Sequence, residues 1–215
     1  MKSSLESYFK TGLIKLGLPD IPWAPFQIYL QELLKWNQAI NLTAITTPED
    51  IVERHFLDSL IPINFFSLRD KLLDIGTGGG FPGLPIKIAL PHIDLYLADS
   101  VQKKINFLKT LARKLDLTQV IATHQTITKK PIDQTFEWII SRAALKISDL
   151  LTIALPHLTP NGTLIAMKGE NIEQEIKDAE PILKNSGLPL PEKIDYELPF
   201  SKTKRTLFIF KNCST

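Results

Sequence analysis

From residue 71 onward the sequence alternates short apolar runs with longer segments of helical spacing, and no other feature restricts the fold so much. KLLDIG (71–76), DLYLADS (94–100), QVIATH (119–124), EWIISRAA (137–144) and GTLIAMKG (162–169) are bounded by turn residues and read as strands buried on both faces. Between them lie helical patterns: 84–90, then Val101, Ile105, Leu108, Leu111, Ala112 and Leu115, then 147–158 and 172–183, with Gly187 at a helix stop. Strand, helix and strand in succession require right-handed crossovers and a mostly parallel sheet covered on both sides. At the C-terminus PEKIDYELPF and KRTLFIFKN are strand-like with only a short polar joint between them, so they form a hairpin and one of them runs antiparallel to its neighbour. The expected fold is α/β, with a mostly parallel seven-stranded sheet that closes on this hairpin.

Residues 1–68 differ: their apolar residues recur at steps of three and four, as in Phe26, Tyr29, Leu30, Leu33 and Leu34. They read as a helical extension ahead of a domain spanning 69–215. Thr47 stands at an N-cap, with Pro48 in the first helical position and Asp50 at the capping-box position. No apolar run reaches the length of a membrane span and the start lacks the apolar centre of a signal peptide, so the expectation is a cytoplasmic protein with no membrane association. The single cysteine, Cys213, and four scattered histidines leave no pattern for a disulfide or a metal site.

Charge is unevenly spread. Residues 1–70 carry six Lys and Arg against eight Asp and Glu, whereas Lys103, Lys104, Lys109, Arg113, Lys114, Lys129 and Lys130 face only Asp116 between 102 and 130. Such a patch fits a polyanion, although a solvated helix face has the same composition.

The segment LLDIGTGGGFPG (72–83) places a glycine turn between the first strand and the next helix, where open parallel sheets bind ligands. Gly78, Gly80 and Gly83 also satisfy the dinucleotide pattern, so a nicotinamide-dependent oxidoreductase is one alternative. Asp74 argues against it, because a carboxylate beside the turn repels a pyrophosphate and attracts the ammonium and sulfonium of S-adenosylmethionine. A structural use of Asp74, holding the turn through its amides, is the other alternative. Asp99, nineteen residues beyond Gly80, is placed to accept both hydroxyls of a ribose; otherwise it caps the helix near Val101.

With these residues in hand, the chain resembles the RsmG family, also called glucose-inhibited division protein B. The resemblance rests on KWNQAINLTAI (35–45), RHFLDSL (54–60), LLDIGTGGGFPGLP (72–85), LADS (97–100), ISRAA (140–144), MKG (167–169) and RTLFIF (205–210). It implies a Rossmann-like class I methyltransferase domain behind the helical N-terminus, one that transfers a methyl group from S-adenosylmethionine to N7 of a guanine in 16S ribosomal RNA. It further implies cofactor contacts at Gly76 and Phe81, beside the D-x-G-x-G-x-G run of Asp74, Gly76, Gly78 and Gly80 that by itself suits this cofactor, a ribose contact at Asp99 and Ser100, and an adenine side at Ile127 and Thr128, where the family's usual acid is missing. Arg142 is expected at the cofactor or the target guanine and Lys168 on the RNA side with it, with Arg54, His55 and Arg205 as further RNA-side candidates. Guanine N7 already has an in-plane lone pair, so no general base is required. The expected partner is 16S ribosomal RNA or the small ribosomal subunit, and the expected state is a monomer. A protein that keeps the fold and binds RNA without catalysis is the remaining alternative.

Overall fold

The computed structural model describes residues 4–130, 133–170 and 172–212; Cys213 lies outside them. Lys71–Ile75 forms β1, whose Leu72 packs into one core while Leu73 and Ile75 pack into another. The same division by alternate residues recurs in Asp94–Asp99 (β2), Phe136–Arg142 (β4), Leu158–Lys168 (β5) and Lys204–Lys211 (β7), which is why these strands read as continuous apolar runs. With Val120–His124 (β3) and Glu192–Glu197 (β6) they make a seven-stranded sheet of order β3-β2-β1-β4-β5-β7-β6. Pairs among β1 to β5 are parallel, and β7 runs antiparallel to both β5 and β6, as the terminal hairpin demands. The chain order reverses about β1, so the carboxyl ends of β1, β2 and β4 open onto the crevice where such sheets bind ligands.

Helices Gly83–Ala89 (α5) and Gln102–Lys114 (α6) cover one face, and Ile147–Ala154 (α7) and Glu173–Asn185 (α8) the other. The N-terminal helices Leu5–Lys15 (α1) and Trp23–Asn37 (α2) join the first face. An aromatic chain runs from them to the turn after β1: Phe9 to Phe26 at 4.8 Å, Phe26 to Phe56 at 5.1 Å, Phe56 to Tyr29 at 5.1 Å and Tyr29 to Phe81 at 5.3 Å. Burying each such ring is worth roughly 1.5–3 kcal/mol, so the extension and the sheet share one hydrophobic core.

The third helical segment departs from a plain α-helix. Pro48–Ile51 (α3) runs into a π-helix, Val52–Leu57, and then Asp58–Leu60 (α4). Thr47 is at the N-cap as its position suggests, but its hydroxyl turns to the Asp50 carboxylate instead of a backbone amide. Every residue from 51 to 60 except Arg54 is buried. The widened turn inserts polar side chains into a packed interior, a form commonly found at functional sites. Glu53 accepts the amides of Phe200 and Ser201, both at 2.7 Å, and so fastens the tip of the β6–β7 hairpin, where Tyr8 stacks on Phe200 at 3.9 Å. Among the described residues no helix is long and apolar enough to cross a membrane.

Candidate active site

The chain leaves β1 at Ile75 and turns through Gly76, Gly78 and Gly80, all with positive φ. Asp74 holds both ends of this turn: its Oδ2 accepts from Thr77 Oγ1 at 2.7 Å and from the Gly83 amide at 2.8 Å. The structural use of Asp74 is thus realised. Its other oxygen, Oδ1, is buried and has no hydrogen-bond partner among the described residues. Burial pushes the Asp74 carboxyl up to about 6, against the pull of the Thr77 and Gly83 donors. Enclosed beneath the glycine turn, this carboxylate can favour a cation above the turn through its charge, not by direct contact.

The two faces of the turn are unlike. A Cβ on Gly80 would lie 2.5 Å from the Tyr29 hydroxyl and 2.7 Å from Leu84, so only hydrogen fits there. Tyr29, fully buried and kept protonated by that burial, donates to the Gly79 carbonyl at 2.5 Å. A Cβ on Gly78 would meet nothing closer than 4.0 Å, so at Gly78 the backbone is bare.

Asp99 closes the turn from β2. Its Oδ2 accepts from the Gly78 amide and its Oδ1 from the Val101 amide, each at 2.9 Å, with Lys104 Nζ at 3.6 Å. It is not the helix cap, which is Val101. Each oxygen keeps a further lone pair for a ligand hydroxyl. Beside it the Ser100 carbonyl accepts from His124 Nε2 at 2.9 Å. Beyond β3, Ile127 is buried in the second core, while Thr128 is exposed and its carbonyl is bonded to His157 Nε2 at 2.9 Å.

At the end of β4 the segment Ser141–Ala144 is built against the glycine turn. Ser141 Oγ donates to the Ile75 carbonyl at 2.9 Å, Ala143 adopts φ 54° and Ala144 Cβ lies 2.7 Å from where a Gly76 Cβ would be. Arg142 is therefore presented beside the loop. Its Nη1 donates to the Arg54 carbonyl at 2.9 Å and to Asp58 Oδ2 at 3.3 Å, its Nη2 donates to His55 Nδ1 at 2.9 Å, and its Cζ lies 5.1 Å from the Phe81 ring centre. His55 stacks on the same Phe81 ring at 4.4 Å, and its Nε2 meets Thr43 Oγ1 at 2.7 Å. Burial first, then Arg142 and Arg54, pull the His55 imidazole down to about 3, so it is neutral. Since Nδ1 accepts from a guanidinium, Nε2 bears the proton and donates to Thr43. Thr43 itself is fixed by Asn37, whose Oδ1 accepts from the Leu42 and Thr43 amides and whose Nδ2 donates to the Thr43 carbonyl.

Asp58 receives the Tyr196 hydroxyl at 2.7 Å and lies 3.7 Å from Arg205 Nε, which brings Arg205 into the group. Arg54 turns its side chain outward. Lys168, at the end of β5, is placed differently: its ammonium is taken up by the Leu145 carbonyl and by Glu175 Oε2 at 2.8 Å, and Glu175 also accepts the Ile147 amide at the start of α7. Sequence reasoning passed over Asn37, Thr43, Asp58 and Tyr196. Asn37, Thr43 and Asp58 stand inside the stretches KWNQAINLTAI and RHFLDSL, where an acid among apolar helix positions was the available signal. No described group of three or more His, Cys, Asp or Glu is placed to hold a metal.

Solved structures of S-adenosylmethionine-dependent methyltransferases share this architecture. An S-adenosylmethionine-dependent methyltransferase from Aquifex aeolicus aligns with TM-score 0.57 at 20% identity, over 89% of this chain and 100% of that one. An N-methyltransferase NodS from Bradyrhizobium japonicum, in complex with S-adenosyl-L-homocysteine, aligns with TM-score 0.55 at 15% identity, over 87% and 99%. The fold is thus that of the class I methyltransferases. Within that class, residues 23–190 match the family model GidB, rRNA small subunit methyltransferase G, and the chain belongs to that family. It is 38% identical to a ribosomal RNA small subunit methyltransferase G of Lachnoclostridium phytofermentans over 214 residues, covering 96% of this chain and 88% of the relative. Membership in a methyltransferase family decides against the nicotinamide alternative.

Proposed function

We propose that this protein methylates N7 of one guanine in 16S ribosomal RNA, with S-adenosylmethionine as the methyl donor. The observation that carries this reading is the bare backbone at Gly78 set between the unpaired Oδ1 of Asp74 and the half-used carboxylate of Asp99, with Arg142 at the adjoining strand end. The donor set fits a nucleoside bearing an ammonium and a sulfonium better than it fits a pyrophosphate, because both flanking groups are carboxylates. Asp99 would hold the ribose hydroxyls, Asp74 would balance the cationic methionine end through the turn, Phe81 would pack beside it, and Ile127 and Thr128 would line the adenine.

When bound, that cofactor supplies a methyl group on a cationic sulfur, which passes in line to the N7 lone pair as the carbon–sulfur bond breaks, leaving a neutral thioether and a cationic base. No proton is removed before transfer, so the protein's task is to align the base and to tolerate its new charge. Arg142 has five N–H donors, of which three are committed to Arg54, Asp58 and His55. The remaining edge, Nε and one N–H of Nη2, is available to bind guanine O6 or a flanking phosphate. Lys168 contributes by fixing the turn that carries Arg142. Exposed Lys103, Lys109, Arg113, Lys129 and Lys130, with Arg54, provide the positive surface that an RNA backbone requires. Mass mapping of 16S RNA from cells lacking this protein tests the reading: one guanine that loses its N7 methyl group is expected, and an unchanged methylation map would overturn it.

A further inference from the structure

Both ring nitrogens of His55 are used inside the protein, one by Thr43 and one by Arg142. It has no nitrogen left for RNA or for proton transfer, although its position in the chain, next to exposed Arg54, suggests an RNA contact. Asp58 is equally enclosed at 2% exposure, with Oδ1 given to Tyr196 and Oδ2 to Arg142 and Arg205. A buried carboxylate and a buried neutral imidazole that converge on one guanidinium, with an aromatic ring beneath it, leave that guanidinium little rotational freedom. The supporting residues come from four separate parts of the chain: the turn after α2, the π-helix and its continuation, the glycine turn, and β6.

We propose that His55 and Asp58 are positioning residues which lock the Arg142 guanidinium so that its unused edge faces the incoming guanine. The proposal rests on the reading of Arg142 given above and assigns the machinery that makes that arginine rigid. His55 acts because it is an acceptor: in the neutral form its Nδ1 lone pair takes an Arg142 hydrogen while Nε2–H anchors the ring to Thr43. Asp58 fixes the other nitrogen and is itself oriented by the Tyr196 phenol, which burial and the Asp58 charge keep protonated and donating. Misalignment of a group that orients a reactant costs turnover by roughly 10- to 100-fold, without an equal effect on binding of the other reactant.

The test is a double-mutant cycle on the full chain, read as kcat and KM for methyl transfer to small-subunit RNA together with thermal stability. His55→Phe keeps the ring stacked on Phe81 and removes the acceptor; His55→Asn returns an acceptor oxygen near the Nδ1 position. His55→Phe is expected to lower kcat about tenfold or more while the KM for S-adenosylmethionine stays within about twofold, and His55→Asn to recover part of the loss. Added to Arg142→Ala, His55→Phe is expected to cost nothing further. If the full loss persists in the Arg142→Ala background, or if His55→Asn is no better than His55→Phe at equal stability, the positioning role is wrong. The reading of Arg142 itself is tested separately by Arg142→Ala alone, whose normal turnover would remove that reading and the proposal with it. Should His55→Phe fail to fold, Asp58→Asn takes its place in the cycle: a loss that disappears in the Arg142→Ala background supports the positioning role, and a loss that persists there overturns it.

Discussion

Two buried ionisable groups of the site, Asp74 and His55, lean toward their neutral forms and so respond to pH in opposite directions. The Asp74 carboxyl, pushed up to about 6 by burial, disfavours its charge in the folded chain, and the stability it contributes is lost as pH rises from near its ordinary value through 6. Keeping that carboxylate ionised inside the fold at neutral pH costs about 3 kcal/mol relative to a solvated one. A cation held above the turn would relieve part of this cost through its field on the buried carboxylate, so S-adenosylmethionine should displace a proton on binding near pH 6. The expected result by calorimetry is affinity that weakens as pH falls below 6, with proton release that Asp74→Asn abolishes; affinity independent of pH would contradict the pairing. For the His55 imidazole, pulled down to about 3, the unfolded chain takes up a proton below its ordinary value near 6.5 that the folded chain refuses. Stability contributed there is full above 6.5 and falls by up to roughly 1.4 kcal/mol per pH unit on acidification. Urea denaturation at pH 7 and pH 5 should show a shallower acid loss for His55→Asn than for the parent, and parallel losses would remove this source.

At the scale of elements, the glycine turn has one packed side and one open side, and substitutions should separate them. Gly80→Ala forces a methyl group onto Tyr29, Leu84 and Leu108 at φ +97°, so a destabilised or unfolded product is expected. Gly78→Ala meets no neighbour and carries only the positive-φ cost of about 1–2 kcal/mol. It should fold, as a thermal melt will show, and fail to bind S-adenosylmethionine; a Gly78→Ala protein that binds normally would mean the bare backbone is not the cofactor's bed. The turn, Asp99 and Arg142 were legible in the sequence because each sits at the end of a strand whose apolar pattern is local. The clamp on Arg142 was not, because Asp58 and Tyr196 meet across 138 residues and nothing in either segment names the other. The π-helix was hidden for a related reason. Residues 51–60 repeat apolar side chains at helical steps, and only the surrounding packing shows why Glu53, His55 and Asp58 are buried among them. The pattern does reveal Lys168 as a strand-end cation, but not that Glu175 and Leu145 claim its ammonium.

Across the whole molecule, the helical N-terminus does more than precede the sheet. It supplies Tyr29 to the glycine turn, His55 to Arg142 with Thr43 behind it, and Glu53 to the hairpin tip, so the site is assembled from both ends of the chain. Glu53→Ala would leave the Phe200 and Ser201 amides without their acceptor, at a cost of about 1–3 kcal/mol for each that stays buried. Calorimetry should then record one transition at a lower temperature; a separate early transition would show that the extension and the sheet melt independently. The proposed reaction in this crevice is methyl transfer from S-adenosylmethionine to a guanine N7. Its most direct measurement is incubation of the purified protein with methyl-labelled S-adenosylmethionine and unmethylated small-subunit RNA, followed by reduction and aniline cleavage, which cuts the strand at N7-methylguanine. One cleavage in the 16S strand, absent with Asp99→Ala, is the expected result; label that enters without such a cut, or no label at all, would contradict the account.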